Sequence, residues 1–561
     1  MPARTAATTL PTLSRSKVGR FARTAATRAA SEASATAALW RSGAVGIDLP
    51  HRMLPAAGAL VRSGPVGAAL ALPAGRFPTR VAVVDERGPV TFAELDALAR
   101  RLAGALAERG VGSDDTVAVM CRNHRGMLAA LFAGTVLGAR TVLLNTDFAG
   151  PQLRDVVTRE EVTAIVADAE FDERTADLAT RAGRWLLPDG TPAADAAPAD
   201  LFDEDAERPA APRPTRRQRL VLLTGGTTGT PKGAPRDFGM TLAIPGGYLE
   251  KIPLRSGRTA MVLCPVFHAW GLISTMLALT VGDTLLLRRN FDPEAAVASI
   301  AANRVDTVIA VPVLLSRVLD TLAQHPVDTS SVRVVALSGS ALSTDLARRA
   351  RGALGDVVHN LYGSTEVAFV TIATPADLAA APGTVGRAPT GTTVAILGDD
   401  DRPVPTGETG RIFVANTIHF EGYTGGGSKD EVDGMMTTGD LGHLDAQGRL
   451  FIDGRSDDMI VSGGENVFPA EVEDLLLGHE GVADVAVVGV DDDDFGQRLR
   501  AYVVRASGTG LDEDAVKAFV KENLARYKVP RDVRFVDDLP RNQAGKIVKR
   551  DLDVGDNGAT G

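Results

Sequence analysis

Thr-Gly-Gly-Thr-Thr-Gly-Thr-Pro-Lys-Gly, residues 224–233, follows directly on the apolar stretch Leu220 to Leu223. Threonine hydroxyls and glycine-permitted bends surround a polyanion with O–H and N–H donors, and Lys232 adds a point charge. The run is not a Walker A loop, which requires Gly directly before its Lys and Ser or Thr directly after. Pro231 and Gly233 stand in those places. A Thr/Gly-rich run can equally be an ordinary polar loop, so the rest of the chain decides what this one holds.

Around the run, short β-branched segments alternate with Ala/Leu-rich helical patterns. Upstream, Val81 to Asp85, Val117 to Cys121, Val142 to Leu144 and Ala164 to Val166 read as buried strands. Thr91 to Arg109 reads as an amphipathic helix with Thr91 as N-cap and Glu94 three residues on, a capping box. Downstream, Ala260 to Leu263, Thr284 to Leu287, Thr307 to Val311 and Val334 to Leu337 continue the rhythm. Such alternation predicts α/β architecture, with mainly parallel sheets covered by helices. A Pro/Ala/Asp-rich stretch over 188–216 reads as a surface connection, and the short glycine-punctuated runs from Thr393 to Ile452 predict a small antiparallel β unit. Past Arg455 the pattern becomes helix Pro469 to Leu477, strands Val482 to Val490 and Arg500 to Arg505, helix Asp512 to Leu524 and strand Asp532 to Phe535, a small α+β domain. The predicted division is an extension over 1–45, a large domain over 46–456 and a small mobile domain over 457–555.

Composition removes several classes of function. A net charge of −10 over 561 residues argues against a dedicated nucleic-acid binder. The two cysteines, Cys121 and Cys264, each lie inside an apolar run and read as buried, reduced packing residues, and no Cys/His cluster has zinc spacing. No uncharged apolar stretch reaches the ~18 residues that span a bilayer, so a cytoplasmic protein is expected. The first 45 residues carry Arg4, Arg15, Lys17, Arg20, Arg23, Arg28 and Arg41 against Glu32 alone. This composition suits a transit peptide, a basic arm on an anionic membrane, or a disordered extension. Met53 to Leu72 reads as a surface helix leading into the large domain. No Gly-x-Ser-x-Gly elbow is present, which removes the usual hydrolase reading.

Four further motifs follow the 224–233 run in order: Tyr-Gly-Ser-Thr-Glu at 362–366, Thr-Gly-Asp at 438–440, Gly-Arg-Ser-Asp-Asp-Met-Ile-Val-Ser-Gly-Gly-Glu-Asn at 454–466, and Pro-Arg-Asn-Gln-Ala-Gly-Lys at 540–546. Together they resemble the adenylate-forming superfamily across residues 75–553. Arg-Asn-His-Arg-Gly at 122–126 and Leu-Asn-Thr-Asp-Phe-Ala-Gly-Pro-Gln-Leu at 144–153 resemble its fatty-acid and related acyl-CoA ligase branch. The resemblance implies ATP, Mg²⁺ and coenzyme A as reactants or cofactors. It implies that Thr224, Gly225, Gly226, Thr227, Thr228, Gly229 and Lys232 form the phosphate loop, although the family usually has Ser where Gly226 stands. Glu366 matches its Mg²⁺-associated glutamate and Thr365 the threonine beside the α-phosphate. Tyr362 matches the aromatic that stacks on adenine, with Asn360 and the Gly339-Ser340-Ala341 turn at the base's edges. Asp440 matches the ribose acceptor, a role that an ionised carboxylate fills by taking two O–H donors, and Arg455 an arginine near ribose and phosphate.

The same resemblance makes Lys546 the cation that bridges the attacking carboxylate and the α-phosphate, although Ala544 stands where Thr is common. Gly463, Gly464 and Glu465 match the loop along the pantetheine path, and His268 a position near the acyl carboxylate. Trp270 is a candidate for the acyl pocket, with buried packing as its other reading. Asp457 falls where the two domains swivel. The implied function is an ATP-dependent acyl-CoA ligase acting on a medium- or long-chain fatty acid through an acyl adenylate. The alternatives are an acyl-AMP ligase that loads a carrier protein and a degenerate nucleotide-binding scaffold. Amino acids are poor substrates, because residues 266–275 carry no Asp for an amino group.

Overall fold

The computed structural model describes residues 15–46, 50–187, 210–224, 232–237, 241–416, 418–420, 422–424, 426–455, 460–462, 465–492, 496–542 and 545–552. The β-branched runs build two large sheets. In the seven-stranded sheet, the strands Leu220–Thr224, Arg140–Leu143, Thr116–Met120, Ala164–Asp168 and Arg184–Leu187 lie parallel in that order. Lys232–Asp237 and then His419–Phe420 extend it antiparallel beyond Leu220–Thr224. The eight-stranded sheet has six parallel central strands, from Val358–Ser364 through Val334–Leu337, Thr307–Ala310, Thr259–Val262 and Thr284–Leu287 to Val81–Asp85. Antiparallel edge strands Ala368–Ala373 and Gly88–Thr91 close it. Thr116–Met120 and Val334–Leu337 are buried at every position, as strands covered on both faces must be.

One continuous core joins the two sheets, with Val117, Val119 and Leu220 from one and Ala260, Val262 and Ile309 from the other. Helices Arg125–Leu137 and Ala269–Val281 contribute Leu128, Leu131, Leu272 and Leu279 to the same core. Thr91 and Glu94 make the expected reciprocal capping box at the start of Phe92–Glu108. Cys121 and Cys264 are buried and free.

The predicted small β unit is present. Thr393–Leu397, Gly410–Ala415, Met435–Leu444 and Glu431–Val432 pair antiparallel, and Leu450–Arg455 lies beside Met435–Leu444. Residues 460–552 form a second unit with a five-stranded sheet, helices Pro469–Leu477 and Glu513–Asn523, and a core of its own built on Val472, Leu476, Val487, Ala501 and Val520.

The N-terminal segment departs from the arm read in the sequence. It is helical over Arg15–Ser42 and again over Pro50–Arg76, with a break at Gly64. Ala35, Ala38 and Leu39 are buried, and Glu32 accepts from Thr241 Oγ1 and, at 3.0 Å, from the Leu242 N–H. Small residues permit the contact: a Cβ added to Gly246 would lie 2.3 Å from Ala35 Cα. Composition alone does not show this docking, because alanine is equally at home in a loose arm and in a tight helix crossing. No described helix is long and apolar enough to cross a membrane.

Candidate active site

The strands Leu220–Thr224 and Lys232–Asp237 form a hairpin whose last pair is Thr224 opposite Lys232. Gly225, Gly226, Thr227, Thr228 and Gly229 belong to the connection across that pair and lie outside the described residues. The returning strand is pinned from a distant part of the chain. The Gly233 N–H donates to Thr424 Oγ1 at 3.1 Å, and the Thr424 N–H to the Gly233 carbonyl at 2.9 Å. Thr424 Oγ1 in turn donates to Glu160, a fully buried carboxylate that also accepts from Arg140 and Arg159. Lys232 Nζ stands 5.1 Å from the centroid of the Tyr423 ring.

Val358–Ser364 and Ala368–Ala373 form a second hairpin, whose turn carries Thr365 and Glu366. A register shift occurs at Gly363, where an added Cβ would sit 1.8 Å from the Ala368 carbonyl oxygen, so only glycine fits. Glu366 accepts at Oε2 from Ser364 Oγ at 2.9 Å and at Oε1 from the Tyr423 hydroxyl at 2.8 Å. Both donors are neutral hydroxyls. A half-buried carboxylate held this way fits a hard divalent cation that also takes phosphate and water oxygens.

Asp440 meets the second of these hairpins. Its backbone is in register with Arg455 on the neighbouring strand, and its Oδ2 accepts from the Tyr362 hydroxyl. Burial raises the Asp440 carboxyl above its ordinary range, while the Tyr362 hydroxyl and the charges of Arg455, Lys546 and Lys429 pull it back. Burial also pushes the Tyr362 phenol well up, and the adjacent carboxylate adds to that. A cavity of about 270 Å³ opens beside Asp440, lined by Lys429, Asp430, Thr437 and Arg411. Asn360 is opposite Leu337, just before the Gly339-Ser340-Ala341 turn, and its buried Oδ1 has no hydrogen-bond partner among the described residues.

Lys546 reaches this site from the second unit. Its N–H donates to Asn542 Oδ1 at 3.0 Å, and its carbonyl accepts from the Asn542 N–H at 2.9 Å, a tight turn that leaves the side chain exposed. Gly545 is at φ 75° and abuts the large domain: an added Cβ would lie 2.4 Å from Val313 Cγ1. Asp474 also accepts from the Thr344 N–H at 3.3 Å across the two units.

His268 precedes helix Ala269–Val281 and contributes no cap. Its Nε2 is buried without a partner among the described residues, and burial lowers the imidazole to about 4, so it is neutral at physiological pH. Trp270 is anchored, its Nε1–H donating to the Ala310 carbonyl at 2.9 Å and its ring 6.3 Å from Tyr248. Tyr248 in turn lies 5.8 Å from Phe369. This favours the packing reading of Trp270. Glu465 opposes Ser462 in a short hairpin. Gly463, Gly464 and Asp457 lie outside the described residues.

Two residues near this constellation escape sequence reading, Lys429 and Tyr423. The signal for Tyr423 is scarcity. The chain has only 5 tyrosines, and two of them, Tyr362 and Tyr423, touch the site's carboxylates. A larger groove of about 420 Å³, lined by Val84, Met261, Leu286, Arg289 and Phe291, contains none of the candidate residues.

Comparison with known proteins gives the family of the chain. Residues 70–424 match the AMP-binding enzyme family, and residues 471–546 its AMP-binding enzyme C-terminal domain. The indoleacetate–CoA ligase of Aromatoleum aromaticum is 34% identical over 493 residues, covering 85% of this chain and 96% of its own. A feruloyl-CoA synthase of an Amycolatopsis species is 36% identical over 473 residues, covering 82% and 93%. The structure of o-succinylbenzoate CoA synthetase from Bacillus subtilis with its acyl-adenylate intermediate superposes with a TM-score of 0.75 at 28% identity, over 86% of this chain and 97% of that one. The chain thus belongs to the AMP-binding enzyme family, as an adenylate-forming acid–thiol ligase.

Proposed function

We propose that this ligase joins a ring-bearing carboxylic acid to coenzyme A through an acyl adenylate. The observation that carries the ring is the pair of relatives above, similar over 85% and 82% of the chain, whose names specify indoleacetate and ferulate. They favour a ring over the medium- or long-chain fatty acid expected from the sequence.

In the first half-reaction an acid carboxylate oxygen bonds to the α-phosphorus of ATP and pyrophosphate leaves. In the second, the thiol sulfur bonds to the acyl carbon and AMP leaves, the thiol proton passing to solvent. Lys232 and the 224–229 run hold the phosphates, and Glu366 with its two hydroxyl donors would hold Mg²⁺, which would neutralise phosphate charge. Thr365 lies beside the α-phosphate. Asp440 takes the ribose hydroxyls with Arg455 beside it, and Tyr362, Asn360 and the Gly339-Ser340-Ala341 turn hold adenine. Neutral His268 orients the acid, and Lys546 brings positive charge to the two anions that must meet. Asp457 is the pivot that withdraws Lys546 and admits Gly463, Gly464 and Glu465 along the coenzyme path.

ATP–pyrophosphate exchange with indoleacetate, ferulate, 2-succinylbenzoate, octanoate and palmitate tests the reading, followed by thioester formation with coenzyme A. Exchange and thioester with the ring acids are expected. Efficient turnover of palmitate alone, or adenylates consumed by a carrier-protein thiol and not by coenzyme A, would overturn it.

A further inference from the structure

Tyr423 is not part of any motif used above, yet it touches both halves of the phosphate end of the site. Its hydroxyl donates to Glu366 Oε1 at 2.8 Å, and its ring presents a face to Lys232 Nζ at 5.1 Å. Its own position is over-determined. The Tyr423 N–H donates to the Gly427 carbonyl at 3.0 Å, and its carbonyl accepts from the Gly426 N–H at 2.9 Å. Phe420 packs against its ring, centroids 4.9 Å apart at 73°. The adjacent Thr424 is bonded to Gly233, one residue from Lys232, and Phe420 is in register with Arg236 on the Lys232–Asp237 strand. The loop is therefore fixed to the phosphate hairpin and reaches across to the glutamate hairpin with one hydroxyl.

We infer that Tyr423 is a positioning residue that fixes the Glu366 carboxylate relative to Lys232, so that a divalent cation and the phosphates of ATP meet in one geometry. The inference rests on the reading of Glu366 and Lys232 as the cation and phosphate residues. The physical logic lies in what tyrosine offers each partner. To the carboxylate it gives a neutral O–H, which orients the oxygen without cancelling its charge as an arginine would. To the ammonium it gives a π face, which attracts the cation without neutralising it. Ser364 holds the other oxygen, Oε2, at 2.9 Å, so removing the Tyr423 hydroxyl leaves Glu366 in place but free to turn.

Two readouts on the full-length enzyme decide it. Binding of Mn²⁺ in the presence of α,β-methylene ATP is followed by electron paramagnetic resonance, and pyrophosphate exchange is measured against Mg²⁺ concentration. Tyr423→Phe should weaken Mn²⁺ binding and raise the half-saturating Mg²⁺ about 10-fold, with kcat recovered at saturating Mg²⁺ and the acid KM unchanged. Tyr423→Leu, which also loses the ring, should in addition raise the ATP KM. Glu366→Gln should abolish Mn²⁺ binding in the complex. If Tyr423→Phe binds Mn²⁺ as the wild type does while Glu366→Gln does not, the positioning role is overturned and the site reading stands. If Glu366→Gln also binds normally, both are overturned. A kcat loss in Tyr423→Phe that saturating Mg²⁺ does not repair indicates a merely structural residue and overturns the inference too.

Discussion

The Tyr362 hydroxyl donates to the Asp440 carboxylate across 78 residues of sequence, tying the glutamate hairpin to the small β unit. One Asp440 oxygen thus accepts from protein. Arg455, in register with Asp440, balances the buried charge.

Asp440→Asn should raise the ATP KM about 10- to 100-fold, since a hydrogen bond to a charged acceptor contributes roughly 1.5–3 kcal/mol. The acid KM should move less than threefold. Steady-state kinetics with each substrate varied in turn checks this, and equal effects on both would indicate general disruption.

Gly545→Ala should hinder the first half-reaction specifically. The new methyl would meet Val313 at 2.4 Å, in a backbone at φ 75° that L-residues rarely adopt. The Lys546 turn is then pushed off the large domain. Pyrophosphate exchange should fall at least ~10-fold, a barrier change of about 1.4 kcal/mol. Thioester formation from preformed acyl-AMP should stay within twofold.

The parallel strands were legible because burial on both faces writes itself as uninterrupted β-branched runs, as in Thr116–Met120 and Val334–Leu337. The Thr91–Glu94 cap and the helix Pro469–Leu477 were legible because their signals are local. Contacts between distant segments were not. Glu32 against Thr241, Tyr423 against Glu366 and Tyr362 against Asp440 all depend on tertiary placement. Trp270 was ambiguous in sequence because an apolar wall and an apolar core have the same composition. The Ala310 carbonyl on its indole N–H is what distinguishes them.

Trp270→Phe should therefore cost stability through the lost hydrogen bond, about 1 kcal/mol plus the packing lost with the smaller ring. Denaturant unfolding should show a lower midpoint with an unchanged slope. The ranking of acids should stay the same.

His268 makes a pH-dependent contribution. Its folded value of about 4 lies below the ordinary 6.5, so the unfolded chain binds more protons between those values. Stability is intact above the unfolded value and falls as pH drops from 6.5 toward 4, by at most about 3 kcal/mol from this residue. His359 is lowered to about 4 by burial as well, so the His268 share is read from a difference. His268→Gln should show a shallower loss of stability over that window in urea titrations. It should also raise the acid KM while leaving the ATP KM near wild type.

The central claim is that Lys546, delivered by the second unit to the Asp440 side of the site, acts in making the adenylate. The most direct measurement separates the two half-reactions on Lys546→Ala, using pyrophosphate exchange for the first and thioester release from preformed acyl-AMP for the second. A cation aimed at charge that develops in one step matters to that step alone. Exchange should fall at least ~100-fold, about 2.7 kcal/mol on that barrier, with thioester formation within threefold of wild type. Near-normal exchange, or an equal loss in both half-reactions, would contradict the account.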